Sequence, residues 1–140
     1  MGNDAIVSED EQAQRFYCQV LELLTRGDVA FMVGGSFAAT HYTARAPHTK
    51  DLDVFVPPDQ VEPALGVLER AGFETERTFP YWIAKAWRGE YFVDLIYRAA
   101  SGLWEVQHEW LERAQEAEFW GTRAPIVGVE ELIWSKAGLM

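Results

Sequence analysis

The chain alternates between segments in which apolar residues recur at helical spacing and short apolar runs of strand length. Ser8, followed by three acidic residues, is typical of a capped helix start, and apolar positions then follow the helical period. Val29–Val33 and Leu52–Val56 have the length and composition of buried strands. Between them, Ser36 is well suited to cap a helix over roughly Phe37–Thr43, so the pattern predicts helix, strand, helix and strand in that order.

After the second predicted strand, the pattern indicates one more helix and then three strands. Pro57–Asp59 is typical of a turn and helix entry, and apolar residues recur at helical spacing until Gly72. The tripeptide Arg88-Gly89-Glu90 is typical of a hairpin turn and joins the last two of the three strands, which are predicted at Phe73–Thr78, Tyr81–Trp87 and Tyr91–Tyr97.

Helical spacing returns in Trp104–Glu118, a short hairpin is predicted within Phe119–Val127, and a last helix opens at Val129. That helix stops abruptly, and we expect the natural chain or a partner to continue its packing. Together the elements predict an α+β (α/β-like) fold with a mixed sheet of about four or five strands. We expect helices mainly on one side of the sheet, the site at the sheet's edge, and a single domain over residues 1–140.

The composition and charge of the chain limit the kinds of partner that it can be expected to bind. The formal net charge is −10, which would repel a phosphate backbone, so non-specific binding of nucleic acid is not expected. The single cysteine, Cys18, rules out an internal disulfide and suits a reducing compartment. No apolar run is long enough to span a bilayer, and we therefore expect a cytoplasmic protein that does not bind membranes. The abundance of tryptophan favours a homodimer or another protein partner.

Acidic residues interrupt two of the predicted strands. Asp51 and Asp53 alternate with Leu52, so both point to one face of an extended strand, where their charges repel unless a cation offsets them. Asp94 is the only charge in the apolar strand Tyr91–Tyr97. If the two strands are neighbours, three carboxylates converge, and this is a ligand set for two Mg²⁺ ions around a phosphoryl group. The alternatives are that the D-x-D triplet is accidental and that Asp94 lies at a sheet edge.

The turn Gly34-Gly35-Ser36 adds a second indication of phosphate chemistry. Glycine lets the backbone approach a phosphate closely, and a helix that starts there offers free N–H donors. The Ser36 hydroxyl can add a hydrogen bond. By itself this tripeptide is weak evidence, because any tight turn can use it.

The order of these motifs resembles the nucleotidyltransferase superfamily typified by DNA polymerase β. Its mark is an apolar residue with a Gly-Gly or Gly-Ser pair, then D-x-D on a strand and a third acid on a later strand. Val33-Gly34-Gly35-Ser36, Asp51-Leu52-Asp53 and Asp94 match in that order. The run from Thr49 to Asp53 is closest to small bacterial members, namely antibiotic nucleotidyltransferases and abortive-infection toxin enzymes.

The resemblance implies Mg²⁺-dependent transfer of a nucleoside monophosphate from ATP or another NTP to a hydroxyl-type acceptor, with release of pyrophosphate. It implies that Gly34, Gly35 and Ser36 hold the triphosphate and that Asp51, Asp53 and Asp94 bind two Mg²⁺ ions, with Mn²⁺ as a substitute. Asp94 would also take the acceptor proton. Close relatives often have arginine or serine shortly before the D-x-D, where this chain has His48, so Lys50 or Arg45 would supply that phosphate contact. Lys136, on the last helix, is a further candidate for the nucleotide.

Two other functions fit the same residues. One is a catalytically silent nucleotide-binding module of a two-protein pair, which would bind NTPs without releasing pyrophosphate. The other is a metal-dependent phosphodiesterase, which would not need the glycine turn. Lys85 and Arg88 could contact phosphate but are more simply explained as solvated strand residues. The histidines and Cys18 lack the spacing of a zinc site.

Overall fold

The computed structural model describes residues 9–43 and 52–138, which form a seven-stranded mixed sheet with helices against it. In chain order the strands are β1 Met32–Val33, β2 Leu52–Phe55, β3 Glu74–Phe79, β4 Ile83–Arg88, β5 Tyr91–Ile96, β6 Gln115–Phe119 and β7 Thr122–Ile126. Across the sheet their order is β3-β4-β5-β2-β1-β7-β6. The pairs β2–β5 and β1–β7 are parallel, and the other neighbours are antiparallel.

In the described part of the chain, four α-helices connect these strands: α1 Glu9–Arg26, α2 Gly35–Thr43, α3 Val61–Arg70 and α4 Val129–Gly138. Short 3₁₀ turns at Pro58–Gln60 and His108–Arg113 complete the connections. Within the described ranges, no helix has the length and apolar character needed to cross a membrane.

One side of the sheet, the helical face, carries the core. Its central positions on β2 and β5 are aliphatic and fully buried: Leu52, Val54, Val93 and Leu95. Side chains of β4 and β7 also contact α1 on this face, since Thr122 donates to Glu22 at 3.0 Å and Arg88 donates to Gln19. In the inner strands β2, β4, β5 and β7, the period-2 pattern therefore places buried residues on the face that the helices cover.

The opposite side, the open face, is closed at one end by aromatic residues. The ring of Phe55 lies 6.0 Å from that of Trp104 and 6.1 Å from that of Trp110, and all three residues are buried. These contacts cover the carboxyl ends of β2 and β5 and leave the earlier part of both strands without this cover.

The predicted α1, the helix at α3 and the three strands from residue 73 to 97 are confirmed to within about two residues. The prediction of four or five strands was wrong. The predicted hairpin around Gly121 is present, but its first strand begins earlier, at Gln115. The strand predicted at Val29–Val33 is reduced to the two residues of β1, which joins this hairpin to the rest of the sheet. Ser36 is the second residue of α2 and not its cap, because the helix already begins at Gly35.

The predicted helix over Trp104–Glu118 was also wrong. Trp104 and Trp110 are buried as the spacing required, but they cover the sheet from an irregular segment and a 3₁₀ turn. Residues from Gln115 onward pair with β7, because Trp120 and Gly121 have positive φ angles of 50° and 88° and reverse the chain. Long-range strand pairing thus overrides the local helical period.

Candidate active site

Asp53 and Asp94 are direct neighbours on the two central parallel strands, β2 and β5. The pairs on either side of them in the register, Leu52 with Val93 and Val54 with Leu95, belong to the helical face. Paired residues on adjacent strands point to the same face, so both carboxylates lie on the open face, on strands about 4.8 Å apart. Both aspartates are half-buried. The expected location at the sheet's edge was wrong, since β2 and β5 are interior strands.

The glycine pair at the end of β1 brings the start of α2 against Asp53. The N–H of Gly34 donates to the carbonyl oxygen of Asp53 at 2.9 Å, and a Cβ at Gly34 would lie 2.8 Å from the ring of Phe55. Gly35 has φ +58°, and a Cβ there would lie 2.2 Å from Oδ2 of Asp53. Any larger residue at position 35 would therefore collide with the carboxylate and also strain the backbone.

This contact places the Asp53 carboxylate at the amino-terminal end of a nine-residue helix. The first hydrogen bond of α2 runs from the N–H of Ala38 to the carbonyl of Gly34 at 3.3 Å, so the N–H groups of the preceding turn point out of the helix start. The helix dipole is positive there and favours anions. Ser36 lies in this first turn and is exposed, so its hydroxyl is accessible beside the same helix end.

The far end of α2 is anchored to the sheet. The hydroxyl of Tyr42 donates to the carbonyl oxygen of Val127 at 2.8 Å. Burial, together with the negative charge of Glu131, raises the pKa of Tyr42 above its ordinary value, so the phenol stays protonated and keeps this bond. The helix that faces Asp53 is consequently held at both ends.

Two of the predicted site residues, Lys50 and Asp51, lie outside the described residues, as do Arg45 and His48. The role of Asp51 as the third carboxylate stays a prediction. Over residues 9–43 and 52–138, no three His, Cys, Asp or Glu side chains are grouped closely enough to hold a metal ion. The described part of the site thus contributes a pair of carboxylates, Asp53 and Asp94.

The basic residues that were considered as phosphate contacts lie on different elements of the fold. Arg88 lies on the helical face, where its guanidinium is 4.2 Å from the ring centre of Phe73, so it is a packing residue. Lys85 is the cross-strand partner of Asp94 on the open face, and its Nζ lies 4.4 Å from the ring centre of Phe92. Lys136 is exposed on α4, which packs against α2 and is thereby one element away from the aspartates.

Carboxylate oxygens are the ligands that Mg²⁺ prefers, and a pair of them leaves coordination positions for phosphate oxygens and water. Oδ1 of Asp94 is shielded from solvent, and Oδ2 of Asp53 lies against Gly35, which has no side chain of its own. The donor set on β2 and β5 therefore fits a hard divalent cation.

A groove of about 310 Å³ lies on the open face of β4 and β5, and the sequence pattern did not predict it. Its lining residues come from β3, β4, β5 and the hairpin turn between the last two: Glu76, Lys85, Trp87, Gly89, Glu90 and Phe92. The sequence does contain information about this groove, because the two-residue turn Gly89-Glu90 sets the register of the hairpin. Counting back from that turn places Trp87 opposite Phe92 and Lys85 opposite Asp94.

No protein-family model and no curated protein matches the sequence. Solved structures do match. The lincosamide antibiotic adenylyltransferase LnuA, in its lincomycin-bound form, is 16% identical with a TM-score of 0.61 over 95% of this chain and 94% of that chain. A nucleotidyltransferase structure from Thermotoga maritima, described as putative, is 13% identical with a TM-score of 0.67 over 89% and 83% of the two chains.

A third structure, ANT(2″)-Ia in complex with adenylyl-2″-tobramycin, is 17% identical with a TM-score of 0.63 over 89% of this chain and 74% of that chain. The chain has the nucleotidyltransferase fold. The resemblance seen in the motifs is confirmed at this level, since two structures with antibiotic substrates or products match the chain along most of its length.

Proposed function

We propose that this protein transfers a nucleoside monophosphate from an NTP to a hydroxyl group of a small acceptor and releases pyrophosphate. The observation that carries the proposal is the in-register pair Asp53 and Asp94 beside the amino-terminal end of α2. Support comes from the fold shared with a lincosamide adenylyltransferase and with an enzyme bound to an adenylated tobramycin.

Asp53 and Asp94 would hold Mg²⁺, with Asp51 as the third ligand of a two-ion site. When bound, the ions would neutralise charge on the triphosphate and on the departing pyrophosphate. The donor chemistry supports this assignment, because carboxylate oxygens are the ligands that Mg²⁺ prefers and the strand register brings these two carboxylates together on one face.

The chain's own groups would position the reactants. Gly34, Gly35 and Ser36 would bind the triphosphate through backbone N–H groups and one hydroxyl, and Lys50 and Lys136 would add positive charge. Asp94 would accept the proton of the acceptor hydroxyl as its oxygen bonds to the α-phosphorus and the bond to pyrophosphate breaks. Proton transfer of this kind contributes roughly 10²–10⁴-fold, so positioning and electrostatic stabilisation carry the remainder of the rate.

The direct test measures pyrophosphate release and label transfer with each of the four NTPs, Mg²⁺ or Mn²⁺, and a panel of hydroxylated acceptors. Asp53→Asn should lower the rate by about 10³-fold, because the amide is a much weaker metal ligand than the carboxylate. Asp59→Asn is the matched control, since Asp59 is an exposed acid paired with His108 on the 3₁₀ turn. Equal rates for Asp53→Asn and the wild-type protein would remove the proposed site.

The same assay separates the alternatives. A silent nucleotide-binding module would bind NTPs without releasing pyrophosphate under any condition. A phosphodiesterase would hydrolyse phosphate esters and keep its rate in Ser36→Ala. For a nucleotidyltransferase, we expect Ser36→Ala to raise the KM for the NTP by about tenfold, which is the value of one hydrogen bond to a charged group.

A further inference from the structure

The last helix, α4, is held to the protein along one side. Leu132 and Ser135 of this helix are buried, and Glu131, also buried, forms an ion pair with Arg113 on the 3₁₀ turn. These contacts fix the rotation of the helix about its own axis. The side of α4 opposite these three residues, its outer side, therefore faces away from the sheet.

The outer side of α4 is apolar. Val129, Ile133 and Trp134 are 45%, 64% and 56% exposed. Residues three or four apart are neighbours on a helix surface, so Val129 and Ile133 form one stripe, which Trp134 borders. Single exposed apolar side chains are ordinary, but three of them together on one helix are typical of a contact surface.

Two opposite charges flank Ile133 at equal distances along this helix. Glu130 precedes it by three residues and Lys136 follows it by three, and both side chains are exposed. This pattern is complementary to itself when a second copy of α4 runs in the opposite direction. Ile133 then meets Ile133 of the second copy at a twofold axis, and each Glu130 faces a Lys136 across the interface. Trp134 is one residue from that axis, so the two copies of its ring also come together.

We infer that this protein forms a homodimer through the outer side of α4, with the twofold axis at Ile133. The inference goes beyond the proposed function and needs neither nucleotide nor turnover. For Lys136, the pairing with Glu130 is an alternative to the nucleotide contact proposed above. A contact through one ten-residue helix falls below the roughly 1,200 Å² of stable interfaces, so we expect a weak dimer with a Kd of about 10 µM.

Sedimentation equilibrium of the full chain, from about 1 to about 300 µM, measures this association. Salt at about 0.15 M screens the repulsion between two chains of net charge −10 beyond about 8 Å. Ile133→Gln should raise the Kd about tenfold, because it removes the apolar contact at the axis from both copies. Leu103→Gln is the matched control, since Leu103 is 69% exposed and lies outside α4. A wild-type chain that stays monomeric at the highest concentration overturns the inference.

The two charge pairs are tested by reversal. Glu130→Lys gives each α4 two positive charges and Lys136→Glu gives it two negative charges, so each variant alone should associate about tenfold more weakly than the wild-type protein. An equimolar mixture of the two variants should form a heterodimer with a Kd close to the wild-type value, because both pairs are restored. Glu90→Lys, at the exposed hairpin turn, changes the net charge by the same amount as Glu130→Lys and should keep the wild-type Kd.

The mixing experiment also decides between the two roles of Lys136, because a contact to nucleotide would not select which copies associate. A mixture that stays monomeric where the wild-type chain dimerises would reject the antiparallel pairing of α4. Dimerisation that is unaffected by Ile133→Gln would place the interface on another surface and would also reject the inference. Circular dichroism checks that each variant is folded, and if a charge variant is not, Ile133→Gln decides alone.

Discussion

Around Asp53 and Asp94, the two faces of β2 and β5 differ sharply in chemistry, although they belong to the same four residue pairs. The helical face presents Leu52, Val54, Val93 and Leu95, which are at most 1% exposed. Between them, on the open face, the same strands present the half-buried Asp53 and Asp94. Adjacent residues in the sequence therefore experience opposite environments.

This difference separates stability from chemistry along one strand. Burial of the aliphatic side chains holds β2 and β5 in register, and that register alone sets the distance between the two carboxylates. Asp53 and Asp94 lie on the other face, outside that aliphatic packing. Substitutions on the two faces should consequently affect different measurements.

The largest effect is expected on the open face. Asp94→Asn should lower the transfer rate by about 10³-fold, equivalent to about 4 kcal/mol, because both the metal ligand and the proton acceptor are lost. The amide keeps the shape of the side chain, so the melting temperature should stay close to that of the wild-type protein. Steady-state kinetics and calorimetry on the same preparation check both statements. A large fall in melting temperature would mean that Asp94 serves the fold.

Leu95, which follows Asp94 and lies on the helical face, should show the reverse result: a loss of stability with little loss of activity. Leu95→Ala should lower the free energy of unfolding by about 2–5 kcal/mol, because it leaves a cavity under the helices. Leu103→Ala is the matched control, since Leu103 is 69% exposed. Denaturant titration measures the loss, and the rate per folded molecule should be nearly retained. Similar unfolding energies for the two leucine variants would contradict the distinction between the faces.

The smallest effect on activity is expected at Gly35, the first residue of α2, which lies against the Asp53 carboxylate. Gly35→Ala and Gly121→Ala both place alanine at a positive φ, which costs about 1–2 kcal/mol of stability in each case. Only at Gly35 would the new Cβ meet the Asp53 carboxylate, because nothing lies within 4 Å of the Cβ position at Gly121. Transfer activity should therefore fall in Gly35→Ala alone. Equal activity of the two variants would show that the contact is unimportant.

Much of the central site was predictable because it depends on local patterns. The apolar runs at β2 and β5, each with one acidic residue on the opposite face, predict two strands and the face on which Asp53 and Asp94 lie. The Gly-Gly turn predicts the start of α2. The neighbouring position of β2 and β5 did not follow from these patterns, since nothing local records which strands pair. It came from the resemblance to known nucleotidyltransferases.

The errors have the same origin. The segment from Trp104 to Trp110 has helical spacing, but its tryptophans pack on Phe55, which is distant in sequence. The strand β6 is formed by pairing with β7 and has little apolar character of its own. Predicting the groove requires the register of the hairpin, which the turn Gly89-Glu90 sets, and the side chains that this register places together on one face.

The hairpin turn between β4 and β5 makes the arrangement of side chains on these two strands sensitive to the length of the turn. Adding one residue at Gly89-Glu90 would move β4 by one position against β5 and exchange the sides on which its side chains lie. Lys85 and Trp87 would then turn towards α1, and Ala84 and Ala86 would replace them next to Asp94. Insertions at this exposed tip, which lies close to Asp94 in the sequence, would change the side chains that the open face presents beside that carboxylate.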